Sequence, residues 1–489
     1  MYKTTRLPPN VKKYKIIHDF FKSVFILLYN IDMKVILENR NISITEATDR
    51  HKSIIRDFLS YKDKSKEFQY RRMAKNPYHK NSAALEKIKQ EMEGCLMEEV
   101  GDEIIIPSGF HHMFKKHSID DKRHDTGIDI SLPWKNKPFS LRDYQTEAVS
   151  LMEDNYRGLI NFATGLGKTL TALYAIRSFK KKTLVLCPNA SIAENFYEEL
   201  CEAFGDHKVG FYGGGKKKIK DITVGMVQSV NNNIDKFVEV DLGLMIVDEV
   251  HHVPASTFYN ITDKLGHIGR IFGLTATDFR ADGKDVMITA GVGPVLIKRD
   301  LIWGIENGWL AEPKIFVRNV PTIGREFRGD KLKNYKEHVL NNKTMNDQIV
   351  TDINTFLGKG LSVLCLVNEV AHGEYLSQQT GLKFATGKDK ESSGYVTELN
   401  SGQLSGLIGT DSKIGEGTDT KNVDVLILAN FVASKGALWQ NLGRGLRIYE
   451  GRNKVIVIDY NPMGSSMLSR HSDTRLKYFK EITNNIKVI

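Results

Sequence analysis

The run Ala163-Thr164-Gly165-Leu166-Gly167-Lys168-Thr169 is a glycine-rich turn closing on an ammonium and a hydroxyl, the groups that a nucleoside triphosphate and its magnesium ion require. In that reading Thr164, Gly165, Leu166 and Gly167 bend the backbone so that its N–H groups face phosphate. Lys168 neutralises charge on the β- and γ-phosphates, and Thr169 ligates Mg²⁺ at the start of a helix. Phe162 stands where the general pattern has its first glycine, so the turn falls to Gly165 and Gly167. Asp248 comes 79 residues after Thr169 and is followed at once by Glu249, behind the apolar run Leu244-Met245-Ile246-Val247. Two carboxylates at a strand end suit two tasks: Asp248 reaches the metal through water, and Glu249 accepts a proton from the attacking water. The two runs together predict hydrolysis of ATP with Mg²⁺.

A third run, Gln440-Asn441-Leu442-Gly443-Arg444-Gly445-Leu446-Arg447, sets Arg444 and Arg447 three apart, on one face if the segment is helical. Guanidinium groups stabilise charge on a transferring phosphoryl group, and delivering them from a distant part of the chain makes the reaction depend on closure. Glycine turns, solvated acid pairs and basic helices are each common alone. Their presence in one chain points to one site.

Such groups need a scaffold that gathers loops at one edge. From Gly158 apolar strand runs alternate with amphipathic helices, the pattern of a parallel sheet covered on both faces, with strands expected at Leu159–Ala163, Thr183–Cys187, Thr223–Val227, Leu244–Asp248 and Ile271–Thr275. Ligands of such sheets bind at the carboxyl ends of the strands, where Lys168 and Asp248 fall. The alternation restarts at Lys314–Val317 and continues through Ser362–Val367, Leu407–Thr410, Val423–Leu428 and Lys454–Asp459. The fold class is therefore α/β, with one lobe over 139–301, a linker over 302–313, a second lobe over 314–459, and a tail over 460–489 with a helix near Thr474–Thr483.

Residues 33–138 read as a small α+β domain: a strand over Val35–Ile44, a helix from about Ala47 to Tyr61, the basic stretch Lys62–Lys80, a helix near Ala83–Glu93, and Glu103–Pro107. Residues 1–32 read as a disordered upstream extension, with a buried N-terminal helix as the competing reading. Phe20 to Ile31 is apolar and follows lysines, but no small-residue cleavage site follows it and it is too short to span a bilayer.

The chain of 489 residues carries a net charge of +10, and residues 1–138 hold 26 Lys and Arg against 19 Asp and Glu, so an anionic partner is expected at that end. Lys62–Lys80 holds seven basic residues against two acids, interleaved with Tyr61, Phe68, Tyr70 and Tyr78. Tyr70, Arg71 and Arg72 there suit a surface that tracks phosphates and stacks on bases, while a solvated loop over the domain's own small core is the competing reading. The four cysteines, Cys95, Cys187, Cys201 and Cys365, lack the close pairing of a zinc site or disulfide scaffold and fit a reducing, cytoplasmic setting.

Taken in order, these motifs resemble a superfamily 2 helicase of the DExH type, which implies two tandem RecA-like lobes. The resemblance spans residues 139–459. Leu141-Arg142-Asp143-Tyr144-Gln145 resembles the adenine-reading Q motif, Thr275-Ala276-Thr277 the motif that couples hydrolysis to strand movement, Gly415-Glu416-Gly417-Thr418-Asp419 the fifth motif, and Gln440 to Arg447 the sixth. By that resemblance Gln145 would bond the adenine, Arg444 and Arg447 would approach the γ-phosphate, and Arg447 would be the finger. Gly417 and Asp419 would line the cleft, and His251 and Gln440 would link the ATP state to lobe contact. Pro188, Asn189, Gln228, Ser229, Asn368 and Thr410 would touch a nucleic-acid backbone, although loop capping uses the same residue types. Asp-Glu-Val-His at 248–251 and the run from Gly273 to Gly283 are similar to the UvsW-like phage branch-migration helicases and the XPB-like DNA helicases.

The resemblance implies a DNA helicase or translocase that remodels forks and Holliday junctions, with partly single-stranded or branched DNA as partner, no membrane, and a monomer favoured. An RNA helicase of the same type and an ATP-gated nucleic-acid clamp without unwinding stay open as alternatives.

Overall fold

The computed structural model describes residues 33–75, 82–114, 118–252, 255–277, 285–387, 389, 391–414, 420–449 and 451–489. The expected extension over 1–32 lies outside them, as do Tyr78 and the whole run from Asp278 to Gly283.

The first unit is a five-stranded sheet in the order β5-β6-β2-β1-β7, built from β1 (Lys34–Leu37), β2 (Asn41–Thr45), β5 (Glu98–Val100), β6 (Glu103–Pro107) and β7 (Ile119–Asp121). Alternate residues of β2 and β6, among them Ile42, Ile44, Ile104 and Ile106, are buried. That alternation marks a sheet with one packed face. The helix Asp49–Leu59 adds Ile55 and Leu59 to this core. So do Met287 and Ala290 of the helix Asp285–Val292, which belongs to the next unit in sequence.

Between the first helix and β5 the chain makes an arm. Short strands β3 (Ser60–Lys62) and β4 (Glu93–Cys95) pair antiparallel, and beyond them the helices Lys64–Ala74 and Ala83–Met92 pack chiefly on each other. The basic aromatic stretch, read from the sequence as lying between two helices, is thus itself helical over 64–74. A Lys, Glu, Gln, Arg and Met-rich segment has ample helix propensity, and the facing helix supplies the packing that periodicity alone does not reveal.

The second unit is an eight-stranded sheet in the order β11-β10-β12-β9-β13-β14-β8-β15. Its strands are β8 (Arg157–Phe162), β9 (Thr183–Cys187), β10 (Val209–Gly213), β11 (Lys216–Lys217), β12 (Ile222–Met226), β13 (Leu244–Val247), β14 (Arg270–Thr275) and β15 (Val295–Arg299). All pairs except β10 with β11 are parallel. β8, β9 and β13 are buried at every residue, as a sheet covered on both faces demands.

The third unit is a wholly parallel seven-stranded sheet in the order β18-β19-β17-β20-β21-β16-β22. Its strands are β16 (Glu312–Val320), β17 (Val363–Val367), β18 (Lys383–Ala385), β19 (Gly406–Thr410), β20 (Val425–Ala429), β21 (Lys454–Pro462) and β22 (Ile486–Val488). These two sheets are the tandem RecA-like lobes. β10, β11, β15, β18 and β22 went unforeseen; they are short or flanking strands whose weak pattern is decided by pairing with a neighbour already in place.

The expected linker is partly a helix, Leu301–Glu306, and it is fastened down. Tyr144 stacks edge-on against Trp303 at 5.0 Å and lies tilted 5.6 Å from Trp309, while the Arg142 guanidinium sits 4.7 Å above the Trp309 ring. The tail helix runs over Ser466–Ile482, starting eight residues earlier than expected, with Ser465 capping it by accepting a hydrogen bond from Leu468 N. No helix among the described residues is long and apolar enough to cross a membrane.

Candidate functional site

β8 delivers the glycine loop to the carboxyl edge of the first lobe. Gly165 and Gly167 have φ of +90° and +78°, a region where a side chain meets its own backbone. Gly167 is the N-cap of the helix Lys168–Phe179, so the first N–H groups of that helix point back across the loop. Phe162, the residue that breaks the general pattern, is the buried last residue of β8 and packs edge-on against Tyr144 at 5.3 Å. The departure serves the core and leaves the turn intact.

β13 brings Asp248 and Glu249 to the same edge. Glu249 N donates to Asp248 Oδ1 at 2.9 Å, and Glu249 takes φ +43°, an unfavourable conformation for a residue with a Cβ. Its carboxylate stands between two groups: Lys168 Nζ is 3.1 Å from Oε1 and His251 Nδ1 is 3.4 Å from Oε2. Asp248 is buried, and burial followed by the neighbouring Glu249 charge pushes its carboxyl up to about 7, with Lys168 opposing. Excess buried negative charge beside hydroxyl and carboxylate oxygens is what a hard dication relieves, so Thr169 and Asp248 fit Mg²⁺.

The second lobe closes over these groups. A cavity of about 910 Å³ is lined from the first lobe by Thr164, Lys168, Thr169, Asp248 and Glu249, and from the second by Gln440, Arg444 and Arg447. Arg444 is buried and donates through Nη1 to Ile414 O at 2.6 Å. Burial lowers the Arg447 guanidinium to about 10, which leaves it a cation at neutral pH, and Glu199 across the cavity favours that charge. The lobes touch through glycine: a Cβ at Gly443 would lie 2.7 Å from Thr164 O, and one at Gly165 would lie 3.0 Å from Gly443 O. Leu446 O accepts from Ala311 N at 2.7 Å, and Arg447 bridges to Leu310, so the linker that Tyr144 fastens to the first lobe also fixes the end of the sixth motif.

His251 and Gln440 meet across the lobes, Nε2 to Nε2, at 3.3 Å, and His251 Nδ1 lies 2.8 Å from Thr275 Oγ1. Thr275 Oγ1 in turn donates to Thr277 O at 3.0 Å, with Ala276 between them. Gln145 is placed differently from the expectation for an adenine contact. It is 2% exposed, its Oε1 accepts from Arg142 N at 2.9 Å, and its Nε2 donates to Leu166 O and Gly167 O at 3.1 and 3.3 Å. Gln145 therefore braces the phosphate loop. Gly417 and Asp419 lie outside the described residues.

The residues expected on a nucleic-acid backbone share the carboxyl edges of the two sheets. Pro188 and Asn189 follow β9, Gln228 and Ser229 follow β12, Asn368 follows β17, and Thr410 ends β19. Asn189 caps the helix Ala190–Phe204 by accepting from Ile192 N at 3.0 Å, Gln228 donates to Asn232 Oδ1 at 3.0 Å, and Thr410 is buried, while Asn368 is exposed. Tyr70, Arg71 and Arg72 stand apart from this row, on the arm, where Arg71 pairs with Glu67 at 2.5 Å. Sequence reasoning missed Glu199, Lys421 and Phe139, which line the cavity. Phe139 carried a readable signal, being an aromatic just ahead of the Q motif; the other two reach the cavity only through packing.

Residues 138–280 match the family described as type III restriction enzyme, res subunit. A protein of Halobacterium salinarum named for the DNA 3'-5' helicase Rad25 is 28% identical over 342 residues, which are 67% of this chain and 55% of the relative. Helicase D10 of Escherichia phage T5 is 27% identical over 374 residues, 74% of this chain and 79% of that one. The chain thus spans about half the length of the Rad25 relative and more of the phage protein. Among solved structures, Dbp5 of S. cerevisiae bound to RNA and ADP BeF3 covers 78% of this chain and 92% of its own at a TM-score of 0.54 and 13% identity, a likeness of fold. UvsW of T4 covers 94% of this chain at a TM-score of 0.44, too loose a superposition to argue from. Motif order, the two lobes and these sequence likenesses make the chain similar to superfamily 2 helicases, with the Rad25 and phage D10 proteins among its relatives.

Proposed function

We propose that the chain is an ATP-dependent DNA helicase or translocase acting on branched DNA. The observation that carries this reading is that Lys168 and Arg447, 279 positions apart in the sequence, line one cavity together with the acidic pair.

A triphosphate bound along the glycine loop competes with Glu249 for the Lys168 ammonium. As Lys168 turns to the phosphates, Glu249 is released to accept a proton from water aligned on the γ-phosphate. Thr169 and Asp248 would hold Mg²⁺, which would neutralise phosphate charge there. Arg447, with Arg444 behind it, stabilises the transferring group only when the lobes are shut, so each hydrolysis event is tied to one closing and opening. Donors along Asn189, Gln228 and Asn368 would hold phosphates without reading bases, making the action independent of sequence, whereas Thr410 is buried and is not among them. The name of the Rad25 relative favours DNA as the partner.

The arm gives the branched-substrate reading its support: Arg71 and Arg72 are exposed, and Phe68 is 70% exposed beside them. Lys62 pairs with Glu93, so the arm can be excised by joining these two residues without opening the main sheet. ATPase and unwinding measured over single strands, duplex, fork, four-way junction and RNA test the whole reading. DNA should stimulate turnover, Glu249→Gln should abolish it, and the arm deletion should spare ATPase while weakening fork and junction processing. Phosphate release unchanged by Glu249→Gln would contradict the assignment, stimulation by RNA alone would select the RNA helicase, and stimulation without unwinding or translocation would select a clamp.

A further inference from the structure

The loop between β16 and the helix Lys331–Tyr335 carries Ile323, which is 94% exposed, the highest value among the large exposed apolar residues. An exposed isoleucine on a slack loop would mean little, but this loop is clamped from both sides. Thr322 Oγ1 lies 3.2 Å from His338 Nδ1 and accepts from Gly464 N at 3.1 Å, and Asn342 Nδ2 donates to Ile323 O at 3.1 Å. His338 Nε2 is 3.2 Å from Arg325 O, and Asn334, wholly buried, both donates to Phe327 O at 2.6 Å and accepts from Phe327 N at 2.8 Å. A Cβ at Gly324 would lie 2.7 Å from Glu337 Cγ, so the backbone presses directly on the segment beneath it. Buried polar side chains thus fix the backbone, and the apolar side chain between them is presented to solvent in one place.

The surroundings say what kind of partner that is. Five basic residues stand against three acids between Pro321 and Glu337. All three acids accept from backbone: Glu326 from Ser466 N at 2.9 Å, Asp330 from Lys333 N at 3.0 Å and Glu337 from Arg325 N at 3.1 Å. Arg325 and Arg328 flank the tip and are exposed. The loop leaves the carboxyl end of β16, the same edge of the parallel sheet that bears Asn368 after β17 and Thr410 at the end of β19. Three strand steps separate β16 from β17, about 14 Å along that edge.

We infer that Ile323 is a strand-separating pin: an apolar wedge that enters the stack at the end of a DNA duplex while Arg325 and Arg328 hold the adjoining phosphates. Apolar side chains on rigid supports unstack base steps at a cost of a few kcal/mol, offset by burial of the wedge and by phosphate contacts. The inference rests on the proposed reading that a strand passes over Asn368 at this edge. It locates strand separation on the second lobe, which carries Arg447 to the cavity.

The test compares the wild-type chain with Ile323→Ala and Ile323→Met on forked DNA. Ile323→Ala should slow unwinding roughly tenfold while single-strand-stimulated ATPase stays within about twofold, and Ile323→Met should unwind normally because it restores an apolar wedge. A 2-aminopurine at the fork junction should brighten when wild-type protein binds with a non-hydrolysable ATP analogue, and should stay dark with Ile323→Ala. Equal unwinding and equal fluorescence in wild type and Ile323→Ala would overturn the pin alone. A wild-type ATPase that no DNA stimulates would instead sink the helicase reading beneath it.

Discussion

Gln440 of the second lobe meets His251 of the first at 3.3 Å, and the other ring nitrogen of His251 faces Thr275 at 2.8 Å. With the Gln440 amide as donor, His251 carries its hydrogen on Nδ1 and passes it toward Thr275, whose hydroxyl then donates to Thr277 O. Lobe contact, the loop after Glu249 and the end of β14 therefore share one hydrogen-bonded chain.

Breaking that chain should uncouple the two ligands. Gln440→Ala and His251→Ala are expected to reduce DNA stimulation of ATPase on the order of tenfold, a coupling of about 1.4 kcal/mol, with nucleotide affinity little changed. Steady-state turnover with and without DNA, set beside titration of a fluorescent ATP analogue, measures both quantities. Full stimulation in the variants would remove the His251–Gln440 contact from the coupling path.

The glycine contact between the lobes makes a second demand. Gly443→Ala places a methyl group 2.7 Å from Thr164 O, so the lobes cannot shut, whereas ATP binding to the first lobe survives. Turnover should fall about as far as in Arg447→Ala, by roughly 10³-fold or more if Arg447 acts as a finger. Single-turnover phosphate release decides this, and a Gly443→Ala chain that hydrolyses normally would show that closure happens elsewhere.

The carboxyl of Asp248, pushed up to about 7 by burial and by Glu249, ties nucleotide binding to pH. Between the unfolded value of about 3.9 and 7 the folded chain holds a proton that the unfolded chain has lost, so this group favours the fold at acid pH and its contribution vanishes as pH rises through 7. Binding of Mg²⁺ and ATP needs the carboxylate and should expel that proton, so affinity rises with pH up to about 8 and then levels. Calorimetry at pH near 6.5 in buffers of unlike ionisation enthalpy should show proton release, and Asp248→Asn should abolish it while stabilising the metal-free chain above pH 7. Buffer-independent heats would refute this.

Arg157 fixes the small N-terminal unit to the first lobe. Its buried guanidinium donates to Gly291 O at 2.6 Å, to Gly266 O at 2.9 Å and to Asn39 O, joining the turn before β2 to the strand that leads into the phosphate loop. Arg157→Met would strand three carbonyls in a buried place and should cost about 3 kcal/mol or more. Urea denaturation reads the loss, and limited proteolysis should release the N-terminal unit early. An unchanged midpoint would mean that water replaces the guanidinium at no cost.

How much of this was legible in advance divides along one line. Lys168, Thr169, Asp248, Glu249 and Arg447 could be named as candidates, and the strands near them placed, because buried parallel strands are continuous apolar runs and because phosphate chemistry admits few residue types; the structure lines one cavity with all five. The helical arm, the bracing role of Gln145, the fastened linker and the clamped loop at Ile323 were settled only in three dimensions. Each depends on which backbone carbonyl or aromatic ring comes within about 3 to 6 Å of a side chain far away in sequence, and no local spacing encodes that distance. Local pattern thus determined the chemical groups and the elements that carry them, whereas tertiary packing decided which groups face one another, because contact is a property of the closed chain and not of its segments.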